Sequence, residues 1–314
     1  MIVVLAGGVG AARFLRGLVK VVDPSEITVV VNTADDTVFH GLHVSPDIDT
    51  VTYTVSGAID PERGWGLAGE TWTAMEALGR YRDVGAVTWF NLGDRDLATH
   101  LWRSGRLRDG ATLTEVTAEL ARAWELGFAM LPMSDSPVST FVQTTDGLIA
   151  FQEYFVKKQH SVAISEIVLR GIESAVPAPG VLESIRAADA IVIAPSNPLV
   201  SIGPILAVPG VREALTVQRN RTVAISPIVA GAALKGPADR MLAELGHDPT
   251  VVGVARLYRD VAGTLVIDDA DRDRALQVEA TGMTALVTDT IMAKPGVTET
   301  MARLVLDAAH LSTT

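Results

Sequence analysis

The sequence predicts an α/β protein built on a doubly wound, mainly parallel sheet. Three observations predict it. Short runs of continuous apolar, largely β-branched residues recur, as at Ile2–Leu5, Ile27–Val31 and Ala190–Ala194. Such runs suit strands covered on both faces. Each is followed by a polar or glycine-containing loop and then a helical stretch, the alternation of a parallel sheet. One region breaks the rhythm: Thr140–Thr145 and Leu148–Val156 flank Asp146-Gly147, the turn chemistry of an antiparallel hairpin. The expected fold is Rossmann-like, a single domain spanning 1–314 with a small hairpin lobe inserted at about 133–176.

The elements follow in order. The strand Ile2–Leu5 runs into a glycine-rich turn at Ala6–Gly10, a helix over Ala11–Val22 and the strand Ile27–Val31. Pro46 and Asp47 signal the approach to a helix at Asp49–Ile59. Arg63-Gly-Trp-Gly reads as a loop, Gly69–Tyr81 as an amphipathic helix and Val87–Phe90 as a short strand. Leu97–Arg106 is helical, and Thr112, Thr114 and Glu115 offer a cap for a helix to Trp124. A strand at Phe128–Leu131 precedes the lobe, to which Ile167–Ile172 adds a strand. Beyond it come a helix at Gly180–Ala187, the strand Ala190–Ala194, and helices at Ser201–Ala207 and Pro209–Val217. The strand Thr222–Ile225, helices at Pro237–Leu245 and Pro249–Tyr258, strands Thr264–Ile267 and Ala285–Thr288, and a helix at Val297–Ala309 close the series.

Bulk properties exclude several classes. The chain has 314 residues, 48% of them hydrophobic and 20% charged, enough to bury a sizeable core. A net charge of −11 argues against a general nucleic-acid grip, while leaving room for one nucleotide in a local site. The absence of cysteine rules out disulfides, thiolate metal sites and cysteine nucleophiles. No apolar run is long enough for a membrane span, and no leader-like segment precedes Ile2, so a cytoplasmic protein is expected.

The opening strand–glycine–helix unit points unpaired backbone N–H groups at a positive helix end, which suits a phosphate. It is not a dinucleotide fingerprint: counted from Gly8, the third position is Gly10 but the sixth is Arg13, and Asn32 stands where an acid would hold a ribose. A Walker A loop is also absent. A plain tight turn would explain the glycines equally well. The later strand ends add weight, because Pro195-Ser196-Asn197 with Ser201, and Ser226-Pro227 with Lys235, fall at the same sheet edge. Singly each is ordinary turn chemistry; together they favour a nucleotide site.

Four carboxylates, Asp35, Asp36, Asp47 and Asp49, fall within fifteen residues of one another beside this cradle. Turn and capping roles would account for any one of them. As a group beside phosphates they match the hard oxygen ligands of Mg, which neutralises phosphate charge and orients an attacking hydroxyl. Asp94 and Asp96, in Leu92-Gly-Asp-Arg-Asp-Leu-Ala-Thr-His100, are as suited to capping as to binding substrate. His40, His43 and His100 are not at metal-ligand spacing. Trp65 suits packing, or stacking on a flat ligand.

The segments MIVVLAGGVGAARFL, VVVNTADD, SPDIDTVTYT, LGDRDLATH, LPMSDSPVSTFV, APSNPLVSIGPIL and SPIVAGAALKGPA occur in that order nearly end to end. As an ordered set they resemble the 2-phospho-L-lactate transferase family of coenzyme F420 biosynthesis. The nearest competitor is the gluconeogenesis-factor or UPF0052 group, whose implied role is a non-catalytic, nucleotide- or sugar-nucleotide-binding regulator. The resemblance implies a Mg-dependent transfer of a phospholactyl or enolpyruvyl phosphate group. The donor is a guanosine diphosphate-linked three-carbon acid, the acceptor is the ribityl hydroxyl of 8-hydroxy-5-deazariboflavin (Fo), and GMP leaves. It implies that Gly7, Gly8, Gly10, Ser196, Asn197 and Lys235 hold the guanosine diphosphate, with Asn32, Ser201 and Ser226 at the same edge. Asp36 and Asp49 rank first for Mg and catalysis, with Asp35 and Asp47 assisting, and Asp49 is placed to take the hydroxyl proton. Trp65, Asn91, Gly93, Asp94, Arg95 and Thr140 would line the deazaflavin pocket. The chain departs from the family's TAED and GDD patterns at Thr33-Ala34-Asp35-Asp36, so Asp36 ranks before Asp35. The MSDSPVST form resembles archaeal-type members and favours phospholactate. A homodimer is implied as well.

Overall fold

A computed structural model describes residues 1–311. In chain order the elements begin β1 (Ile2–Ala6), α1 (Gly8–Leu18), β2 (Ile27–Val31), a short hairpin of β3 (Thr37–Phe39) and β4 (Leu42–Val44), α2 (Pro46–Val55), α3 (Thr73–Leu78), α4 (Asp96–Arg108) and α5 (Leu113–Ala123). Then come β5 (Ala129–Pro132), β6 (Ser139–Thr144), β7 (Gly147–Ala150), β8 (Ile164–Arg170), α6 (Val181–Ala187), β9 (Ala190–Ile193), α7 (Ile202–Ala207) and α8 (Val211–Val217). The chain continues through β10 (Thr222–Ile225), β11 (Ile228–Val229), β12 (Ala232–Ala233), α9 (Ala238–Glu244), α10 (Val251–Tyr258), β13 (Thr264–Asp268), α11 (Ala275–Glu279), β14 (Thr284–Thr288) and α12 (Val297–Leu311).

Seven strands form the central sheet in the order β14-β13-β10-β9-β1-β2-β5, every pair parallel. The strand pleat explains the continuous apolar runs. Along β1, Val3 and Leu5 enter the core on one face of the sheet, with residues of α6, α7, α8 and α10. Ile2, Val4 and Ala6 enter the other, with α1 and α12. Both faces being covered, each position must be apolar, and each buried Val, Leu or Ile contributes about 1.5–3 kcal/mol. No helix among the described residues is long and apolar enough to cross a membrane.

The hairpin lobe is present as a separate antiparallel sheet, β7-β6-β8. Its core, with Val142, Phe151, Tyr154 and Ile164, is shared with Val200 and Met241 of the main body. The second hairpin strand stops at Ala150, short of the expected Val156, and the chain turns into a π-helical segment at Glu153–Lys157. Here Phe151 and Phe155 stack with centroids 5.5 Å apart, a contact a strand could not make on one face. Val87–Phe90 forms no strand either: Trp89 and Phe90 pack on Phe39 in a satellite apolar cluster away from the sheet. The expected helix at Asp49–Ile59 begins earlier, at Pro46, because proline needs no N–H in the first turn. That shift places both Asp47 and Asp49 in the first turn of α2. The expected helix at Gly69–Tyr81 is shorter, α3 giving way to a 3₁₀ turn at Gly79.

Candidate active site at the carboxyl edge of the sheet

From β1 the chain builds outward through β2 to β5, then returns to β9 on the other side of β1. The crevice outside the carboxyl ends of β1 and β9 is therefore the topological switch point, where open α/β sheets take ligands. A cavity of about 680 Å³ lies there, lined from the loops after β1, β2, β9, β10 and β14, from the 64–66 and 89–92 segments and from the lobe at Phe151–Val156.

Glycines give this crevice its floor. Gly8 has φ +69°, which L side chains rarely adopt, and opens α1 in a single tight step. A Cβ on Gly10 would run into the Pro195 carbonyl oxygen, so the loops after β1 and β9 can meet only because residue 10 has no side chain. Ser196 stitches the same junction, its buried Oγ donating to the Gly7 carbonyl at 2.6 Å. Asn197 Oδ1 accepts from the Leu199 N–H, and Ser226 exchanges hydrogen bonds with the backbone of Ile228. These side chains shape the loops that line the cavity.

The acids divide into two groups. Asp35 and Asp47 are buried beside the glycine turn, and Asp36, half-buried as a residue, has its side chain enclosed with them. Asn32 Nδ2 donates to Asp47 Oδ2 at 2.9 Å, a contact an acid at position 32 could not make. Burial pushes the Asp47 carboxyl up to about 7, with the Asp36 charge adding to it. Burial also raises Asp35 well above the carboxylate range, reinforced by Asp47 and opposed by the Thr140 hydroxyl, and it raises Asp36 in spite of His43 and Ser45, which bond its Oδ2 at 2.8 and 2.7 Å. Asp35 Oδ1 and Asp36 Oδ1 are buried without a hydrogen-bond partner among the described residues. Three neighbouring carboxylates, two of them with an orphaned oxygen, have the chemistry of a hard divalent cation site.

Asp49 belongs to the second group. Its carboxylate is held by Arg103, Nη2 meeting Oδ1 and Nη1 donating to Oδ2 at 3.1 Å, with Arg103 itself only 1% exposed. Arg103 Nη1 also lies 3.3 Å from His100 Nδ1; arginine can only donate, so a neutral His100 carries its proton on Nε2, which faces Asp96 Oδ2 at 3.3 Å. The Tyr53 hydroxyl donates to Asp96 Oδ1 at 2.6 Å. Burial, then the charges of Asp49 and Asp96, push the Tyr53 phenol far up. Asp49, Asp96 and His100 offer ligand atoms within 4.8 Å of one another. Arg103 already neutralises Asp49 there, whereas Asp35, Asp36 and Asp47 have no buried guanidinium of their own, His43 pairing with Asp36.

Of the residues expected at the site, Gly7, Gly8, Gly10, Asp35, Asp47, Asp49, Trp65, Asn91, Ser196, Asn197, Ser201, Ser226 and Lys235 line the cavity. Asp36 and Asn32 stand behind Asp35 and Asp47 and do not line it. Gly93, Asp94 and Arg95 do not line it either. Asp94 accepts from the Thr71 hydroxyl and from the N–H groups of Thr73 and Ala74, which hold its carboxyl below the usual range and fasten the start of α3. Gly93 leaves room for Glu70, whose carboxylate accepts from the N–H groups of Arg95 and Asp96 at the start of α4; Arg95 donates to the Ala68 carbonyl. Thr140 is buried beside Asp35. The cavity also takes Arg13, Tyr53, Trp89, Phe90, His100 and Phe155. The i, i+3 spacing of His100 and Arg103 marked a shared helix face, but nothing local pointed to Asp49 as their partner.

Fold and site together define a Rossmann-like α/β protein with an acidic, glycine-floored ligand cavity at its switch point. The sequence profile of the family described as 2-phospho-L-lactate transferase CofD matches residues 2–304. The chain is 48% identical over 316 residues to a phosphoenolpyruvate transferase of Streptomyces griseus and 46% identical over 315 residues to one of Kitasatospora aureofaciens, covering 98% of both chains in each case. It is 38% identical over 306 residues to a 2-phospho-L-lactate transferase of Methanosarcina mazei, covering 98% of this chain and 99% of that one. The chain belongs to this family, and the family is one of transferases. Among solved structures it resembles a Bacillus halodurans member of the UPF0052 family, at a TM-score of 0.62 and 18% identity, covering 97% of this chain and 98% of that one, a likeness of fold alone.

Proposed function

We propose that this chain transfers a phosphorylated three-carbon acid from a guanosine diphosphate-linked donor to the ribityl hydroxyl of Fo, releasing GMP, in coenzyme F420 biosynthesis. The observation that carries the reading is one cavity joining a glycine strand-to-helix turn to the buried carboxylates Asp35, Asp47 and Asp49, in a chain of a transferase family. Of the candidate acids we put enolpyruvyl phosphate first: relatives at 46–48% identity are named phosphoenolpyruvate transferases, against 38% for the archaeal phospholactate enzyme. This reverses the preference drawn from the MSDSPVST motif.

In this reading the donor phosphates lie on the backbone of Gly7–Gly10 and Pro195–Asn197. Asp35, Asp36 and Asp47 would hold Mg, which neutralises phosphate charge when bound. Arg103 fixes the Asp49 carboxylate toward the cavity, where it orients the acceptor hydroxyl and takes its proton. The aromatic rings of Trp89, Phe90 and Phe155 offer flat apolar walls to the deazaflavin, with Trp65 and Asn91 on the same lining. A homodimer is what the family resemblance implies. The test is incubation of the protein with Fo, Mg and each guanylyl donor, followed by mass analysis. A phosphodiester of Fo with stoichiometric GMP is expected; Fo unchanged with every donor would refute the reading.

A further inference from the structure

Two buried acids stand behind the cavity without lining it: Asp268, 6% exposed, and Asp271, 1% exposed. Asp268 is the last residue of β13. Asp271 lies in the 3₁₀ segment Asp269–Arg274 that follows, at a kink where φ is −106° and ψ 15°. A buried carboxylate has to collect hydrogen-bond donors. Asp268 Oδ2 accepts from both the N–H and the hydroxyl of Thr290, each at 2.8 Å, while its Oδ1 accepts from the Ala270 N–H. Asp271 Oδ2 accepts from the Ala230 N–H at 2.8 Å, and its Oδ1 lies 3.9 Å from Arg274 Nε.

The bond to Ala230 falls where the backbone is strained. Val229 pairs with Ala232 across the β11–β12 hairpin, leaving Ala230 and Gly231 as a two-residue turn with φ +51° and +78°. A type I′ turn has positive φ at both positions and favours asparagine followed by glycine. Alanine at the first position is disfavoured by its Cβ and has no side chain to bond the turn locally, so the turn is held from outside. Residues on both sides of this hairpin line the cavity, Ser226 and Pro227 before it and 234–238 after it. Ser226 fastens the base of the hairpin through Ile228, and Asp271 fastens its tip. Thr290, held by Asp268, opens a second wall at 290–293.

Both walls stand across the switch point from the acid cluster. In the sheet β10 and β14 lie beyond β9, whereas Asp35 and Asp47 belong to the chain that follows β2, on the other side of β1. Resting on the transferase reading above, with donor phosphates over the loops after β1 and β9 and the acceptor among Trp89, Phe90 and Phe155, these walls are left to the donor's nucleoside. We propose that Asp268 and Asp271 are positioning residues: from one short segment after β13 they set the two walls of the nucleoside half of the cavity without touching substrate. Their effect falls on nucleotide binding, not on the acceptor or the transfer step.

The bonding pattern separates the two acids. Asp271 needs one acceptor oxygen toward Ala230, which asparagine supplies. Asp268 needs both oxygens, one for Ala270 and one for Thr290, so the amide group of an asparagine there meets an N–H in either orientation.

The experiment measures GMP and Fo binding by calorimetry, donor KM and kcat in the transfer assay, and backbone hydrogen exchange. The proteins are wild type, Asp271→Ala, Asp271→Asn, Asp268→Asn, and Asp271→Ala combined with Ala230→Gly. Asp271→Ala should weaken GMP binding and raise the donor KM about tenfold, with Fo affinity and kcat within about twofold of wild type. Exchange should quicken at 228–238 and stay unchanged in β1. Asp271→Asn should match wild type, whereas Asp268→Asn should show the tenfold loss with faster exchange at 290–293. Ala230→Gly should restore most of what Asp271→Ala loses, because glycine takes positive φ without strain. A merely structural role would lower GMP and Fo affinity together and would not respond to glycine at position 230. Wild-type GMP affinity in folded Asp271→Ala and Asp268→Asn, or unchanged exchange in both walls, overturns the proposal. Where Asp271→Ala does not fold, Asp268→Asn carries the test. A wild type that binds GMP but leaves Fo unchanged, with variants that lose GMP as expected, supports the positioning role and refutes the transferase reading. Turnover of Fo by wild type with an unaltered donor KM in the variants does the reverse.

Discussion

Replacing Arg103 by methionine should unfold much of what holds the site. Arg103 is among the largest fully buried side chains, and its two terminal guanidinium nitrogens engage both oxygens of Asp49, itself 5% exposed. It also donates to the His43 carbonyl at 3.3 Å. Methionine keeps most of the stem's packing but leaves the Asp49 charge buried without its partner. Removing one member of such a pair costs about 3–5 kcal/mol, a large part of the roughly 5–15 kcal/mol that holds a typical domain. The pair as a unit is worth much less than this, because taking two charges out of water offsets most of their attraction. Asp49→Asn in the Arg103→Met background should therefore recover about half of the loss or more, although each single change is harmful. Urea denaturation of the four proteins of this cycle, followed by far-UV circular dichroism, gives the coupling energy. A loss below about 1 kcal/mol for Arg103→Met, or additive losses in the double variant, would refute the account of a buried, mutually dependent pair.

Further expectations concern the acid cluster and the glycine turn. Asp47 has a folded-state value raised to about 7 from 3.8, so it favours folding below the unfolded value and that contribution disappears as pH rises through about 7. Melting temperature compared between wild type and Asp47→Asn should show the variant gaining on wild type from pH 4 to 8, and Mg should stabilise wild type more at pH 8 than at pH 5; equal pH profiles would remove Asp47 from this role. Gly10→Ala should separate the loops after β1 and β9, since the new Cβ meets the Pro195 carbonyl oxygen. Loss of both GMP binding and thermal stability is expected, and a variant with wild-type melting and binding would show that the junction has slack.

Much of the fold was legible because its signals are local. Five consecutive buried positions in β1 and in β2 announce strands covered on both faces, and Thr112 with Glu115 spells the capping box observed at the start of α5. Val87–Phe90 and the second half of the hairpin depart from the expected strands for one reason. Their apolar residues, Trp89, Phe90, Phe151 and Phe155, pack in satellite clusters around the cavity and answer to no sheet or helix period. The spacing of Asp94 and Arg95 from a strand end did not reveal that their partners are Thr71, Ala74 and Ala68, some twenty or more residues earlier.

The sequence by itself determined the class of sheet, the glycine turn after the first strand and the presence of four acids beside it, because each depends on residues adjacent in the chain. Only the tertiary structure decided how those acids divide. Asp49 is drawn to Arg103, 54 residues away, whereas Asp35, Asp36 and Asp47 are left buried without a compensating cation of that strength. Charge compensation acts through space across a buried, low-dielectric interior, and the chain order that brings α4 against β4 and α1 against α2 is fixed by packing of the whole molecule rather than by any motif.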